Sequence, residues 1–555
     1  MEEKRLLLAV ALSLLVLTGY QLFFAPPPRP RPSPAAVAGA SADVAGAPLP
    51  PSPGGAVSPP PPTAPPPALR VADERERRIE AQGRDVAVAF SNRGARLLSW
   101  RLLQFKDARG RPEEMVQAVA GGPRPLDIET GDAGLDTRLR EALFKASAES
   151  LVLSGAPGEL RFTFAEGDLE AEKTLRFEPE GYLADVRARV RRAGADLPVR
   201  VFWGPGIGNP TAAEMEVQGY HAPQAVYLGP SGVERVPPEK IGPSRMVSPV
   251  RWAGVESPYF VALWVPPAPS GAELRSVALP PAEDGKPRIA VEAGISMGGD
   301  ASALLYVGPK DHLILSRLGH DLQNVVPVGD WIGPIVVALM ALLRRVHGYV
   351  GNYGWSIVAL TVLINLVMAP LRHYSIANGM KMAKLAPEMK VIQERYRKVP
   401  ALDPRRQEMQ KEIASLYARH GMSMGTQMMV GCLPILLTMP FLIAFYRVLS
   451  VSIELRGASF LWIPDLSQKD PYFVTPLLMG LSMFVMQKMT PTTMDPAQQR
   501  IMMIMPVMLV GMFLWAPAGL NLYWLASNLC SIVQQAVTMR LLAAREAAGR
   551  RERRR

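Results

Sequence analysis

No charged residue interrupts Gly354 to Leu371, GWSIVALTVLINLVMAPL. A helix of that length runs about 27 Å, close to the ~30 Å hydrocarbon core of a bilayer. Only Thr361 and Asn365 offer strong side-chain hydrogen-bonding groups deep inside the run. Four residues apart, they lie on one helical face, one turn from each other. An amide at that depth costs free energy unless it meets a partner or lines a wet cavity. A chain holding this segment must therefore supply a facing polar surface or water.

Four more C-terminal runs are similarly apolar, at about 427–450, 472–489, 501–516 and 519–539, and another lies at 6–24. The chain is 48% hydrophobic and 20% charged, with the apolar residues clustered, as membrane spans require. We expect six spans. The formal charge of +11 is concentrated in two places. Residues 372–421 carry eleven Lys/Arg against five Asp/Glu, and residues 540–555 carry seven Arg against two Glu. With six spans, both basic segments and both termini fall on one side, which the positive-inside rule makes cytoplasmic. Topology is the firmest reading of the residues.

The rest of the chain follows in order. Residues 1–24 read as an uncleaved signal anchor, because no A-x-A site follows the long apolar run and Ala25 leads straight into the proline tract. Residues 25–79 read as a Pro/Ala-rich extracytoplasmic linker. Over 80–325 the pattern becomes short alternating runs, such as Leu160, Phe162 and Phe164, separated by turn signals such as Pro179-Glu180-Gly181. That spacing predicts an antiparallel β-sandwich. No convergent carboxylates or His-centred group mark it as an enzyme. In 326–350 the apolar part stops at Leu343, about 20 Å of helix, and Arg344 and Arg345 follow. A helix lying on the outer leaflet fits this better than a span. The five-span core then covers 351–540, with a cytosolic hairpin at 372–421 and a basic tail at 541–555. In the hairpin, Leu385, Met389, Ile392, Tyr396 and Val399 form a seam. Pro400 stops that helix, Asp403-Pro404 starts the next, and Met409, Ile413 and Leu416 answer the seam.

Only two cysteines occur, Cys432 and Cys530, both inside apolar runs, and the six histidines show no metal spacing. No cofactor or metal is expected. The last run, GLNLYWLASNLCSIVQQAVTM, holds the densest polar stripe: Asn521, Trp524, Asn528, Ser531 and Gln535, widened by Ser527 and Gln534. Lipid cannot face it, so it must meet another helix or water, and the Thr361/Asn365 face with Thr438 nearby is its natural partner. Interhelical hydrogen bonding alone is the plainer explanation, but these residues outnumber what helix gluing needs, and a water-accessible groove is expected. The methionines of 472–489 and 501–516 suit ordinary core filling or a surface meeting varied apolar partners. A solute transporter or channel with a periplasmic binding domain is the rival class. It lacks support from an inverted repeat or a buried coupling acid.

The segments GCLPILLTMPFLIAFY, SIELRGASFLWIPDLSQKDPYF, MQKMTPTTMDPAQQRIMMIMPVM and FLWAPAGLNLYWLASNL resemble the YidC membrane-protein insertase family, in its long Gram-negative form. The resemblance is dense over 350–540; over 80–320 it rests on position and β pattern. It implies a polytopic α-helical inner-membrane protein with a periplasmic β-supersandwich. It further implies an insertase and chaperone for nascent inner-membrane proteins, acting alone or beside the Sec translocon, without ATP or covalent chemistry. A hydrophilic groove open to cytosol and lipid would be lined by Thr361, Asn365, Arg372, Thr438, Tyr523, Trp524, Ser527, Asn528 and Ser531. A greasy slide would comprise Cys432, Pro434, Leu437, Met505, Met508 and Met512. Partners would include membrane lipids and, through the hairpin and tail, the ribosome; no direct DNA binding is implied. One departure matters. The family's groove usually carries an Arg where this chain has Asn365, and the next candidate charge is Arg372, seven residues on.

Overall fold

The computed structural model describes residues 70–552 except 108, 118, 120–121, 218–219, 281–287, 298–301, 330, 397–398, 401–402, 421–438 and 491–495. The expected N-terminal anchor, and Cys432, Pro434, Leu437 and Thr438, lie outside the described residues.

From Arg78 to Pro309 the chain is almost wholly β. Period-two hydrophobicity becomes period-two burial. In strand Gly158–Glu166, Leu160, Phe162 and Phe164 point inward while Glu159 and Arg161 face out. A long sheet runs from Gly232–Val236 through Gln224–Gly229, Trp252–Glu256, Phe260–Val265, Ser302–Pro309, Leu183–Arg192, Leu169–Phe177 and Gly158–Glu166 to Lys145–Ala146. Two five-stranded sheets complete the layers, one centred on Arg288–Met297 and one on Val86–Ser91. The strand pairings are antiparallel apart from Arg78–Gln82 with Ser150–Val152, which is parallel. One apolar core holds the sheets together, with Trp100, Trp203, Trp252 and Trp264 fully buried in it. Each such ring removes 150–250 Å² or so from water, the largest payload a side chain offers.

The helices that follow are α1 (Gly333–Val350), α2 (Tyr353–Arg395), α3 (Arg405–Arg419), α4 (Met439–Val451), α5 (Val474–Met489), α6 (Pro496–Phe513) and α7 (Ala518–Glu552). Among the described residues, α1 and α2 are long and apolar enough to cross a membrane; α4, α5 and the stretch Met502–Phe513 of α6 are shorter apolar helices. α1 stays regular for 18 residues, past the end of its apolar part at Leu343. Its Arg344 is neutralised by Glu454, and by Asp311 at 2.8 Å, which lowers the cost of carrying the helix through that charge. The apolar run at 354–371 and the first hairpin helix are one 43-residue rod that passes through Pro370 and Pro387. Asn352 caps it, its Oδ1 accepting from Trp355 N at 3.2 Å.

In the hairpin, Leu385, Met389 and Ile392 pack against Met409, Ile413, Leu416 and Tyr417 in a small core of their own. α2 ends at Arg395, one residue before Tyr396 of the expected seam, and Tyr396 still packs on this core.

The turn after α4 enters the β region. Val451 and Ile453 join its apolar core. Arg456 sits between Glu113 at 2.8 Å and Glu214 at 2.7 Å, all three side chains less than 10% exposed. Burial pushes the Glu113 carboxyl up, and the Arg456 guanidinium opposes that rise. The guanidinium also lies over the Phe260 ring, 5.2 Å from its centroid.

Candidate functional site

α7 packs between α2 and α5, and its polar residues divide between them. Asn521, Asn528 and Gln535 recur every seven residues and are buried. Asn528 Nδ2 donates to Ser482 Oγ of α5 at 2.9 Å, and Gln535 Nε2 reaches Thr490 Oγ1 at 3.4 Å. Asn521 Nδ2 donates to the Phe513 carbonyl at 3.2 Å, at the turn from α6. The second row faces α2. Ser531 Oγ accepts from Arg372 at 2.5 Å while donating to Ser527 O at 2.8 Å. Gln534 Nε2 donates to Ala369 O at 2.7 Å, and His373 Nδ1 lies 3.1 Å from Thr538 Oγ1.

Thr361 and Asn365 are buried on α2, yet they bond to their own helix. Thr361 Oγ1 donates to Ile357 O at 2.6 Å and Asn365 Nδ2 to Thr361 O at 2.8 Å. Asn365 Oδ1 and Asn521 Oδ1 are enclosed with no hydrogen-bond partner among the described residues. Each is an amide oxygen able to accept from a water or an incoming polar group.

Arg372 is half-buried, and no carboxylate pairs with it among the described residues. It is a cation held by a serine hydroxyl between two apolar helices. Tyr523 and Trp524, expected in the polar site, make aromatic contacts there. Tyr523 stacks on Phe445 of α4 (centroids 4.3 Å, 11° between planes), and Trp524 meets Phe513 edge-on at 4.9 Å. On α6, Met505, Met508 and Met512 point outward, beside Ile504 and Val507.

The residues bringing α7 to its neighbours that the sequence reading missed are Ser482, His373, Thr490 and Thr538. Ser482 carried a usable signal as a hydroxyl set among methionines in that run. His373 and Thr538 could be paired only once α2 was known to continue past residue 371. Among the described residues no group of three or more His, Cys, Asp or Glu could hold a metal ion.

Set beside known proteins, residues 345–545 match the sequence profile of the 60Kd inner membrane protein, and residues 78–342 that of the YidC periplasmic domain. A "Membrane protein insertase YidC" from Syntrophus aciditrophicus (strain SB) is 33% identical over 561 residues, 96% of this chain and 98% of that protein. One from Geobacter metallireducens is 32% identical over 562 residues, 98% of this chain and 100% of that protein. The solved structure titled "Active YidC insertase crystal structure with the first transmembrane domain resolved" aligns with 85% of this chain and 94% of that one, at 18% identity and a TM-score of 0.35.

Proposed function

The chain belongs to the YidC family of membrane protein insertases, and from that premise we propose how its own residues receive a client. The site is the polar seam between α2 and α7, and the client is a nascent inner-membrane protein. One observation carries this reading: the Arg372 guanidinium, half-buried on Ser531 with no carboxylate partner among the described residues. Such a charge attracts an acidic or polar tail and is costly to keep unless a polar partner arrives. Asn365 Oδ1 and Asn521 Oδ1 extend that surface with acceptors. Arg372 thus takes the part that a charge at position 365 plays in relatives.

The outward row of Met505, Met508 and Met512, with Cys432, Pro434 and Leu437, forms the slide for the client's apolar segment. Transfer of that segment into lipid, at about 25 cal/mol per Å² of apolar surface, drives release without ATP. The orientation is six spans in the inner membrane, both termini cytoplasmic and the β domain periplasmic. The hairpin and tail face the ribosome, and the insertase works alone or beside the Sec translocon.

Cells depleted of this protein and supplied with variants test the reading on a reporter with a short acidic periplasmic tail. Arg372→Gln lowers insertion and Arg372→Lys restores it. Full insertion by Arg372→Gln would remove the seam from the mechanism.

A further inference from the structure

A cavity of about 200 Å³ lies where the outer end of α4 meets the β domain. One water needs roughly 10–15 Å³ on this measure, so the space is built for something larger. Its lining includes Tyr220, His221, Tyr259 and Lys310 from the β side and Tyr446 and Arg447 from α4. Lys310 is buried against Glu256 at 2.8 Å, and Glu256 also binds Arg235 at 2.7 Å, so that cluster holds one positive charge in excess. Glu214, the acidic group on the lining, is already engaged by Arg456 at 2.7 Å. Arg447 is exposed, with no hydrogen bond or ion pair among the described residues. The cavity is therefore positive on two sides. Its α4 wall is amphiphilic, because the exposed Tyr446 ring lines it next to Arg447. Tyrosine and arginine at the end of an apolar helix mark the level of lipid headgroups.

We propose that this cavity takes the headgroup of an anionic phospholipid of the outer leaflet, with its phosphate on Arg447. A soluble anion would satisfy the two positive sides but would leave the exposed Tyr446 ring of α4 facing water. The site rests on the orientation proposed above, which places the end of α4 at the periplasmic surface.

The full-length protein, stripped of lipid in an uncharged detergent, is titrated with dihexanoyl phosphatidylglycerol while its thermal unfolding is followed. A saturable rise in Tm is expected, with none from dihexanoyl phosphatidylcholine or glycerol 3-phosphate. Arg447→Gln should need about tenfold more lipid or beyond, the loss expected for one charge-assisted contact. Arg447→Lys should stay close to wild type, as should Arg345→Gln, a control cation exposed on α1. An unchanged response in Arg447→Gln, or an equal loss in Arg345→Gln, overturns the site. An equal rise with glycerol 3-phosphate alone overturns the lipid and leaves a soluble-anion site.

The orientation has its own readout. Ser231→Cys, in a background without Cys432 and Cys530, should react with an impermeant maleimide on intact spheroplasts. Labelling only after lysis overturns the orientation; labelling with a failed titration overturns the lipid site alone.

Discussion

Asn365 keeps one half of its amide on the Thr361 carbonyl, and the other half has no partner among the described residues in a buried place. Leucine there removes the acceptor and leaves shape, whereas arginine adds a donor facing the same seam. Asn365→Leu should slow insertion of a polar-tailed client by roughly five- to tenfold, the worth of one partly buried hydrogen bond, and Asn365→Arg should insert normally. Equal rates for the leucine variant and wild type, in pulse-labelled insertion, would show that polarity at 365 is irrelevant. The polar interruption at Thr361 and Asn365 was legible in the sequence because spacing alone puts both on one face. Where their hydrogen bonds go was not, since bonding back to the i−4 carbonyl depends on a rotamer and not on spacing. A second residue-scale prediction concerns Glu292 in the β domain, 4% exposed. Burial raises its carboxyl from 4.5 to about 7, with the Glu129 charge adding to the rise. The folded chain thus holds a proton that the unfolded chain releases. The resulting stability is complete below pH 4.5 or so and is lost as pH rises towards 7. Glu292→Gln removes that slope, gaining on wild type by on the order of 2 kcal/mol between pH 5 and pH 8 in unfolding of the full chain.

Helix α5 lies against α6 through a glycine. A Cβ on Gly480 would come within 2.1 Å of Val510 Cγ2, so the Val510 side chain occupies the space that any larger residue at 480 would need. Gly480→Val should destabilise the chain by about 1–3 kcal/mol, read as a lower Tm, with Val510→Ala on the same chain recovering part of it. Loss of insertion without a change in Tm would point to a role for Gly480 other than packing. Gly354 meets the Phe460 ring as closely, fixing the start of α2 on the outer loop. Strand and hairpin faces were readable at this scale, because Leu160, Phe162 and Phe164, or Leu385, Met389 and Ile392, repeat at the period of the element they form. The unbroken α2 was not readable. Pro370 looks like a boundary in a sequence, and packing on α7 carries the helix through it, whereas the hairpin seam already ran past Pro387.

At the scale of the whole molecule, Arg456 ties the helices to the β domain. Arg456→Gln leaves Glu113 and Glu214 buried together without their cation and should cost about 3–5 kcal/mol. A fall in Tm with faster proteolysis around 452–473 is the expected result; unchanged proteolysis would mean the turn is held by Val451 and Ile453 alone. Sequence could not show this tie, because Arg456 stands more than 240 residues from either partner. The two polar rows of α7 have a mechanical consequence. Asn528 and Gln535 engage one neighbour while Ser531 and Gln534 engage the other, so the helix works like a keyed shaft. A turn of one residue step, ~100°, would bring Leu529 to the Asn528 slot and Ile532 to the Ser531 slot, or the reverse turn Cys530 to the Ser531 slot and Val533 to the Gln534 slot. Keyed on two sides in this way, α7 resists rotation about its own axis against both α2 and α5.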